Sequence, residues 1–155
     1  MSASVLFVCL GNICRSPTAE AVFRLRAQKA GLSLRVESAG TGAWHQGEPP
    51  DERARATGEA RGYSFVGQTA RKVITRDFID FDYILAMDSA NYQDLLSMAD
   101  PAHHHKIHLF LDFAASFSVR EVPDPYYGGP QGFEYVLDLV EAASDGLIDH
   151  ICANP

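Results

Sequence analysis

Cysteine is scarce: three residues in 155, with no framework spacing, exclude a disulfide scaffold and point to a reducing compartment, expected to be the cytoplasm. Basic residues are outnumbered too, 13 Lys and Arg against 20 Asp and Glu, for a net charge of −7. That balance argues against a nucleic-acid partner or an anionic membrane surface, although it permits one local basic site. Long apolar runs are missing. The first spans only Val5 to Leu10 and no basic residue precedes it, so neither a signal peptide nor a membrane span is expected. The chain has no repeat, low-complexity tract or linker. What remains is 46% hydrophobic and 21% charged, the composition of an ordinary globular domain expected to occupy residues 1–155.

The most informative stretch is Cys9-Leu10-Gly11-Asn12-Ile13-Cys14-Arg15-Ser16-Pro17. Before it, Val5-Leu6-Phe7-Val8 reads as a strand buried on both faces. After it, Ser16 as N-cap and Pro17 as first helical residue predict a helix start. A loop ending at a helix N-terminus aims unpaired N–H groups and the positive end of the helix dipole at one spot. Such a concavity binds a phosphate-like dianion and favours the thiolate form of a neighbouring thiol. Cys9 is therefore the candidate nucleophile. Arg15 offers a planar fork for two phosphoryl oxygens, which Lys cannot match. Gly11 lets backbone approach the ligand, and Asn12 tolerates a left-handed conformation. Ser16 is placed to hydrogen-bond the sulfur and help it leave in a second step. A Cys six places before an Arg is a weak signal by itself; the strand, the Gly-Asn pair and the Ser-Pro helix start make it specific.

Residues 17–30 have helical periodicity, and Gly31 follows as the C′ residue. Residues 34–39 alternate like a second strand, and Gly40 to Pro50 is a loop holding the single Trp, at position 44. Asp51 opens a polar helix to about Arg61. Thr75 is expected to cap a helical turn within 74–81. Residues 83–87 read as a buried strand, Ser89 as the cap of a helix to about Met98, and Lys106 to Leu111 as a fourth strand. A loop over 116–130 precedes a long helix from about Gln131, locally weakened by Gly146. Strands alternating with helices predict an α/β fold, a parallel sheet with helices on both faces. Its ligand site lies beyond the carboxyl ends of the strands, where the Cys9 loop falls.

Several residues admit two readings. Asp124 before Pro125 is either a simple turn or a carboxylic acid for a leaving oxygen. Trp44, Tyr126 and Tyr127 are either loop anchors or the walls of an aryl-binding cleft. Cys14 reads, from the residues alone, as a small buried hydrophobe. Asp88, at the end of a buried strand, either pairs with a loop Arg or caps the following helix. The run His103-His104-His105 with His108 reads as a solvated turn, since contiguous imidazoles cannot converge on one ion; no metal or other cofactor is expected.

The Cys9–Pro17 motif near the start, with Asp124-Pro125-Tyr126-Tyr127 late in a chain of this length, resembles the low-molecular-weight protein tyrosine phosphatases along the whole chain. The resemblance implies a four-stranded parallel sheet in the order 2-1-3-4, with a phosphate-binding loop after the first strand. It implies catalysis by Cys9, Arg15 and Asp124 through a phosphocysteine, and substrate contacts from Leu10, Gly11, Asn12, Ile13, Cys14 and Ser16. It places Trp44, Tyr126 and Tyr127 around a cleft deep enough to select phosphotyrosine. Cys14 becomes a partner for oxidised Cys9, and Ser38 a support for Asn12. Some relatives have a His near the position matched to Gln68, where it steadies Asn12; Gln can do similar work, and the role of Gln68 is left open by the sequence. Tyrosine-phosphorylated proteins are the implied partners, and phosphate or vanadate the implied inhibitors.

Three other activities compete. Thiol-dependent arsenate reductases share the loop but need a further cysteine pair in mid-chain, and nothing between Cys14 and Cys152 is Cys. Phosphoarginine phosphatases resemble the loop but have Thr where Ile13 stands, and lack aromatic walls. A non-catalytic phosphotyrosine reader would have no use for Asp124.

Overall fold

The computed structural model describes residues 3–125 and 130–155. Four parallel strands form one sheet in the order β2-β1-β3-β4, as the resemblance implies: β1 Ser4–Cys9, β2 Arg35–Gly40, β3 Tyr83–Ala86 and β4 Ile107–Leu109. The helices are α1 Arg15–Lys29, α2 Glu52–Ala60, α3 Asp77–Asp80, α4 Ser89–Met98 and α5 Pro130–Ala153. Among the described residues no helix is long and apolar enough to cross a membrane.

Alternation along β1 builds two cores. Val5, Phe7 and Cys9 face α1 and α5, where the Phe7 ring meets Phe23 and Phe110 edge-on at centroid distances of 5.5 and 4.9 Å. Leu6 and Val8 face the other way, into a cluster with Phe78, Phe81 and Leu95 from the α3 and α4 side. Successive residues of β1 are thus buried on opposite faces, which is why the strand reads as an unbroken apolar run. Helix α1 ends as expected: Gly31 has φ +82°, and the Leu32 and Gly31 N–H groups return to the carbonyls of Ala27 and Gln28. Asp51 caps α2 through the N–H groups of Arg53 and Ala54.

Four local expectations are corrected. Helix α1 begins at Arg15, with Cys14 as N-cap and no side-chain cap, so Ser16 and Pro17 lie inside the first turn. Pro is tolerated there because first-turn N–H groups have no intrahelical partner. Asp88, not Ser89, caps α4, accepting from the Asn91 N–H at 2.7 Å. Thr75 caps nothing; the short α3 turn is gathered by Asp77, whose Oδ2 accepts the Ile74 N–H at 2.8 Å. Strand β4 stops at Leu109, and Phe110–Phe113 turns into a short 3₁₀ segment that buries Phe110 and Leu111.

Two glycines are there for close approach. A Cβ on Gly146 would overlap the carbonyl of Phe113, so α5 can lie against the 3₁₀ segment only without a side chain at that position. A Cβ on Gly40 would sit 2.8 Å from the Leu10 carbonyl, where β2 ends beside the Cys9 loop.

Candidate active site

Main-chain bonds first fix the loop between β1 and α1. The Cys9 and Leu10 carbonyls each accept from the far side of the β2 turn, from Thr41 and Gly42 N–H at 2.9 Å. The Ile13 carbonyl accepts the Asp51 N–H at 2.7 Å, and the Cys14 carbonyl accepts both the N–H and the hydroxyl of Thr18. Within this frame Asn12 takes φ +59°, the left-handed conformation expected of it, and its N–H points back at Cys9 Sγ, 3.2 Å away.

The Asn12 amide orders the hydroxyls around the sulfur. Its Oδ1 accepts the Arg71 N–H at 3.0 Å, and a backbone N–H can only donate. Nδ2 therefore faces Ser16 Oγ at 2.8 Å and Ser38 Oγ at 3.0 Å, and both hydroxyls accept from it. Ser38 passes its own proton to Glu20 Oε1 at 2.8 Å, and Glu20 is paired in turn with Arg24 at 2.6 Å. Ser16 keeps a proton to give to Cys9 Sγ at 3.0 Å, a better acceptor position than the Ala39 carbonyl at 3.4 Å. The sulfur thus faces two donors, one from the main chain and one from a hydroxyl. Ser38 is hydrogen-bonded to Asn12 in this way. Gln68 is not: its Nε2 donates to the Pro17 carbonyl at 3.2 Å, and the Arg71 N–H takes up Asn12 Oδ1 instead.

Arg15 is 3% exposed. Its Nη1 donates to Asp88 Oδ2 at 2.6 Å and to the Val122 carbonyl at 3.0 Å, and its Nη2 lies 3.7 Å from Asp124 Oδ2. Burial works against the guanidinium's charge, but the Cys9 sulfur, the Asp88 hydrogen bond and the charges of Asp88 and Asp124 outweigh it and raise the pKa. Both readings of Asp88 hold at once: one carboxylate oxygen caps α4 while the other holds Arg15. Cys14 is buried, and its pKa is pushed far up, by burial first and then by the charges of Asp51, Cys9 and Asp124.

Cys9, Leu10, Gly11, Ile13, Cys14, Arg15, Trp44, His45 and Asp124 line a single cavity of about 310 Å³. Asn12 and Ser16 stand behind the sulfur, both nearly fully buried, and are absent from that lining. Trp44 is 70% exposed at the rim, its ring folded over Gly42 where a side chain would collide with it. Tyr126 and Tyr127 lie outside the described residues. Sequence reasoning missed His45, Glu20, the Val122 carbonyl and the Arg71 N–H. The last two are main-chain groups, which no residue type advertises; Glu20 is an acid within the buried first turns of α1.

Among the described residues no three His, Cys, Asp or Glu side chains are grouped to hold a metal. From the His run, His104 Nε2 is 2.9 and 3.2 Å from the Leu96 and Ala99 carbonyls at the end of α4, and His108 packs against Tyr83 and Phe113.

Residues 4–154 match the family model described as low molecular weight phosphotyrosine protein phosphatase. A low molecular weight phosphotyrosine protein phosphatase of Schizosaccharomyces pombe is 48% identical over 147 residues, 92% of this chain and 94% of the relative. The crystal structure of a protein tyrosine phosphatase from Entamoeba histolytica, with Hepes in its active site, superposes with a TM-score of 0.95 at 44% identity over 97% of each chain. A Drosophila arginine phosphatase superposes at 0.90 with 32% identity, over 97% of this chain and 99% of that one.

Proposed function

The chain belongs to the low-molecular-weight phosphotyrosine protein phosphatase family, and we propose that it hydrolyses phosphotyrosine and small aryl phosphates through a phosphocysteine intermediate. Cys9 is the nucleophile, Arg15 binds the phosphoryl oxygens, and Asp124 is the general acid and then the general base. The observation that carries this reading is the convergence of the Cys9 sulfur, the Arg15 guanidinium and the Asp124 carboxylate on one cavity.

The chemistry follows from the geometry. The thiolate attacks phosphorus in line with the ester oxygen, and the P–O bond breaks as Asp124 delivers its proton to the departing phenolate. Arg15 spans two of the three remaining phosphoryl oxygens with its fork. Water then attacks the phosphocysteine, Asp124 takes the proton, and the P–S bond breaks to return the thiolate and release phosphate. In this second step sulfur is the leaving group, and the Ser16 hydroxyl and the Asn12 N–H receive its growing charge.

Substrate choice follows from the rim. Ile13 and Trp44 give the cavity a hydrocarbon floor edge and an indole wall, suited to a flat aryl ring. The fold-level likeness to an arginine phosphatase supports a second substrate, phosphoarginine, and the branched hydrocarbon at position 13 argues for the aryl ester. Cys14, in the same lining as Cys9, is the thiol that would form a disulfide with oxidised Cys9 and spare it further oxidation. Tyrosine-phosphorylated proteins in the cytoplasm are the expected partners, with no nucleic-acid or membrane partner and no cofactor.

The test is hydrolysis of an aryl phosphate and of phosphoarginine in mildly acidic buffer containing chelator, with vanadate as inhibitor. Turnover of the aryl ester alone is expected, abolished in Cys9→Ser and slowed in Asp124→Ala. Undiminished turnover by Cys9→Ser would rule out the mechanism, and preference for phosphoarginine would overturn the substrate.

A further inference from the structure

Residues 70–73 reach both halves of the cavity through main-chain groups. Ala70 exchanges hydrogen bonds with the loop carrying Trp44 and His45: its N–H donates to the Glu48 carbonyl and its carbonyl accepts the Gly47 N–H, each at 2.8 Å. One residue on, the Arg71 N–H donates to Asn12 Oδ1 at 3.0 Å, while the Arg71 carbonyl accepts the Gly40 N–H at 2.8 Å. The Val73 N–H then closes on the Gly40 carbonyl at 2.8 Å, leaving Lys72 in a parallel bridge beside the end of β2. Val73 is buried in the cluster that holds Leu6 and Val8 of β1, and Ala70 in the one that holds Ile13 and Cys14. The charged anchor of the segment is the Arg71 side chain.

The Arg71 fork meets Asp77 in two bonds, Nη1 to Oδ2 at 2.9 Å and Nη2 to Oδ1 at 3.0 Å. Asp77 is 4% exposed, and a carboxylate that deep persists only with partners of this quality. Its Oδ2 also accepts the Ile74 N–H at 2.8 Å, so both ends of the turn between Arg71 and α3 close on one group. Glu37 adds a looser contact to Arg71 at 3.4 Å.

We propose that Asp77 is a positioning residue for catalysis: its ion pair with Arg71 holds the main-chain N–H that fixes the Asn12 amide, and through Asn12 the Ser16 hydroxyl on the Cys9 sulfur. The proposal rests on the reading of Cys9 as nucleophile. Asp77 never touches substrate; it sets the direction of the hydrogen-bond chain described above. If the Arg71 N–H withdraws, Asn12 loses the donor that distinguishes its two ends. The amide is then free to turn its oxygen to Ser16, which must donate to it and abandon the sulfur.

A double-mutant cycle on aryl phosphate turnover tests this. Asp77→Asn is expected to lower kcat about tenfold in the otherwise unaltered enzyme, the scale of a small misplacement of a catalytic group. In an Asn12→Ala background the same substitution should change kcat less than about twofold, because the group it acts through is gone. The Asn12 side-chain amide resonances should also shift in Asp77→Asn. Arg71→Lys, which keeps the charge without the fork, should behave as Asp77→Asn and carries the cycle if circular dichroism shows Asp77→Asn unfolded. Equal losses in both backgrounds, or wild-type turnover in Asp77→Asn with unmoved Asn12 resonances, would overturn the proposal. Turnover surviving in Cys9→Ser, run alongside, would identify the nucleophile as the failed premise.

Discussion

Arg15 Nη1 and Asp88 Oδ2 meet at 2.6 Å, and the other oxygen of Asp88 caps α4. One carboxylate therefore ties the guanidinium at the base of the cavity to the first turn of the helix that follows β3. The two functions separate on substitution. Asp88→Asn and Asp88→Ala should lose kcat alike, since neither orients Arg15 by charge. Asn remains an N-cap and Ala does not, so Asp88→Ala should be less stable than Asp88→Asn by about 1 kcal/mol in urea unfolding. Equal stabilities would show that the cap contributes nothing here.

Ser16 is expected to matter most after the first chemical step. Its hydroxyl faces Cys9 Sγ at 3.0 Å and is kept a donor by Asn12. In Ser16→Ala the sulfur loses one of two donors just where it becomes a leaving group, so breakdown of the phosphocysteine should slow by about 10²-fold, as when one oxyanion donor is removed. Rapid-mixing kinetics should then show a burst of phenol release followed by a slow steady state. A uniform slowing without a burst would put the hydroxyl's role in the first step.

The path from chain to site is uneven in what it discloses. Val5 to Val8 announce a strand buried on both faces because every position is apolar, and Cys9, Gly11, Asn12 and Arg15 announce an anion cradle because each residue type has a physical reason to be there. Asp88 was legible in both its functions, though not as one group performing both. Besides His45 and Glu20, what stayed hidden involves groups without a residue signature. The Arg71 N–H and the Val122 carbonyl are main chain, and only the folded chain says that they face Asn12 and Arg15. Ser16 looks like an N-cap by type, but the loop hands over to the helix two residues earlier, with Cys14 at the cap and Arg15 as the first helical residue. That shift turns its hydroxyl from the helix end to the sulfur.

Gly146 reads from sequence as a weak point in α5, and the fold reverses the sign of that reading. Replacing it by Ala gains about 1 kcal/mol of helix propensity. The added methyl, however, would overlap the Phe113 carbonyl, a main-chain atom that cannot rotate away. Overpacking of this kind costs about 1–3 kcal/mol, more where backbone must move, so Gly146→Ala should lower the urea midpoint. A raised midpoint would mean that α5 and the 3₁₀ segment part without penalty.

Cys14 makes stability depend on alkaline pH, with a sign that can be worked out. Burial, then the charges of Asp51, Cys9 and Asp124, raise its pKa in the folded chain far above the ordinary thiol value. The unfolded chain releases this proton near pH 8.5, while the native state keeps it. The stability linked to Cys14 is therefore fully present below about pH 8.5 and is lost progressively as pH rises above it, by about 2 kcal/mol at pH 10. Other groups titrate in the same range, so the comparison is between slopes. From pH 7 to pH 10 the wild-type free energy of unfolding should fall by about 2 kcal/mol more than that of Cys14→Ala. The alanine variant begins from a lower value because a buried sulfur has been removed, but that deficit is constant with pH and drops out of the slope. Parallel slopes would mean that the thiol ionises as readily in the fold as outside it, and would place Cys14 in contact with water that the buried lining excludes.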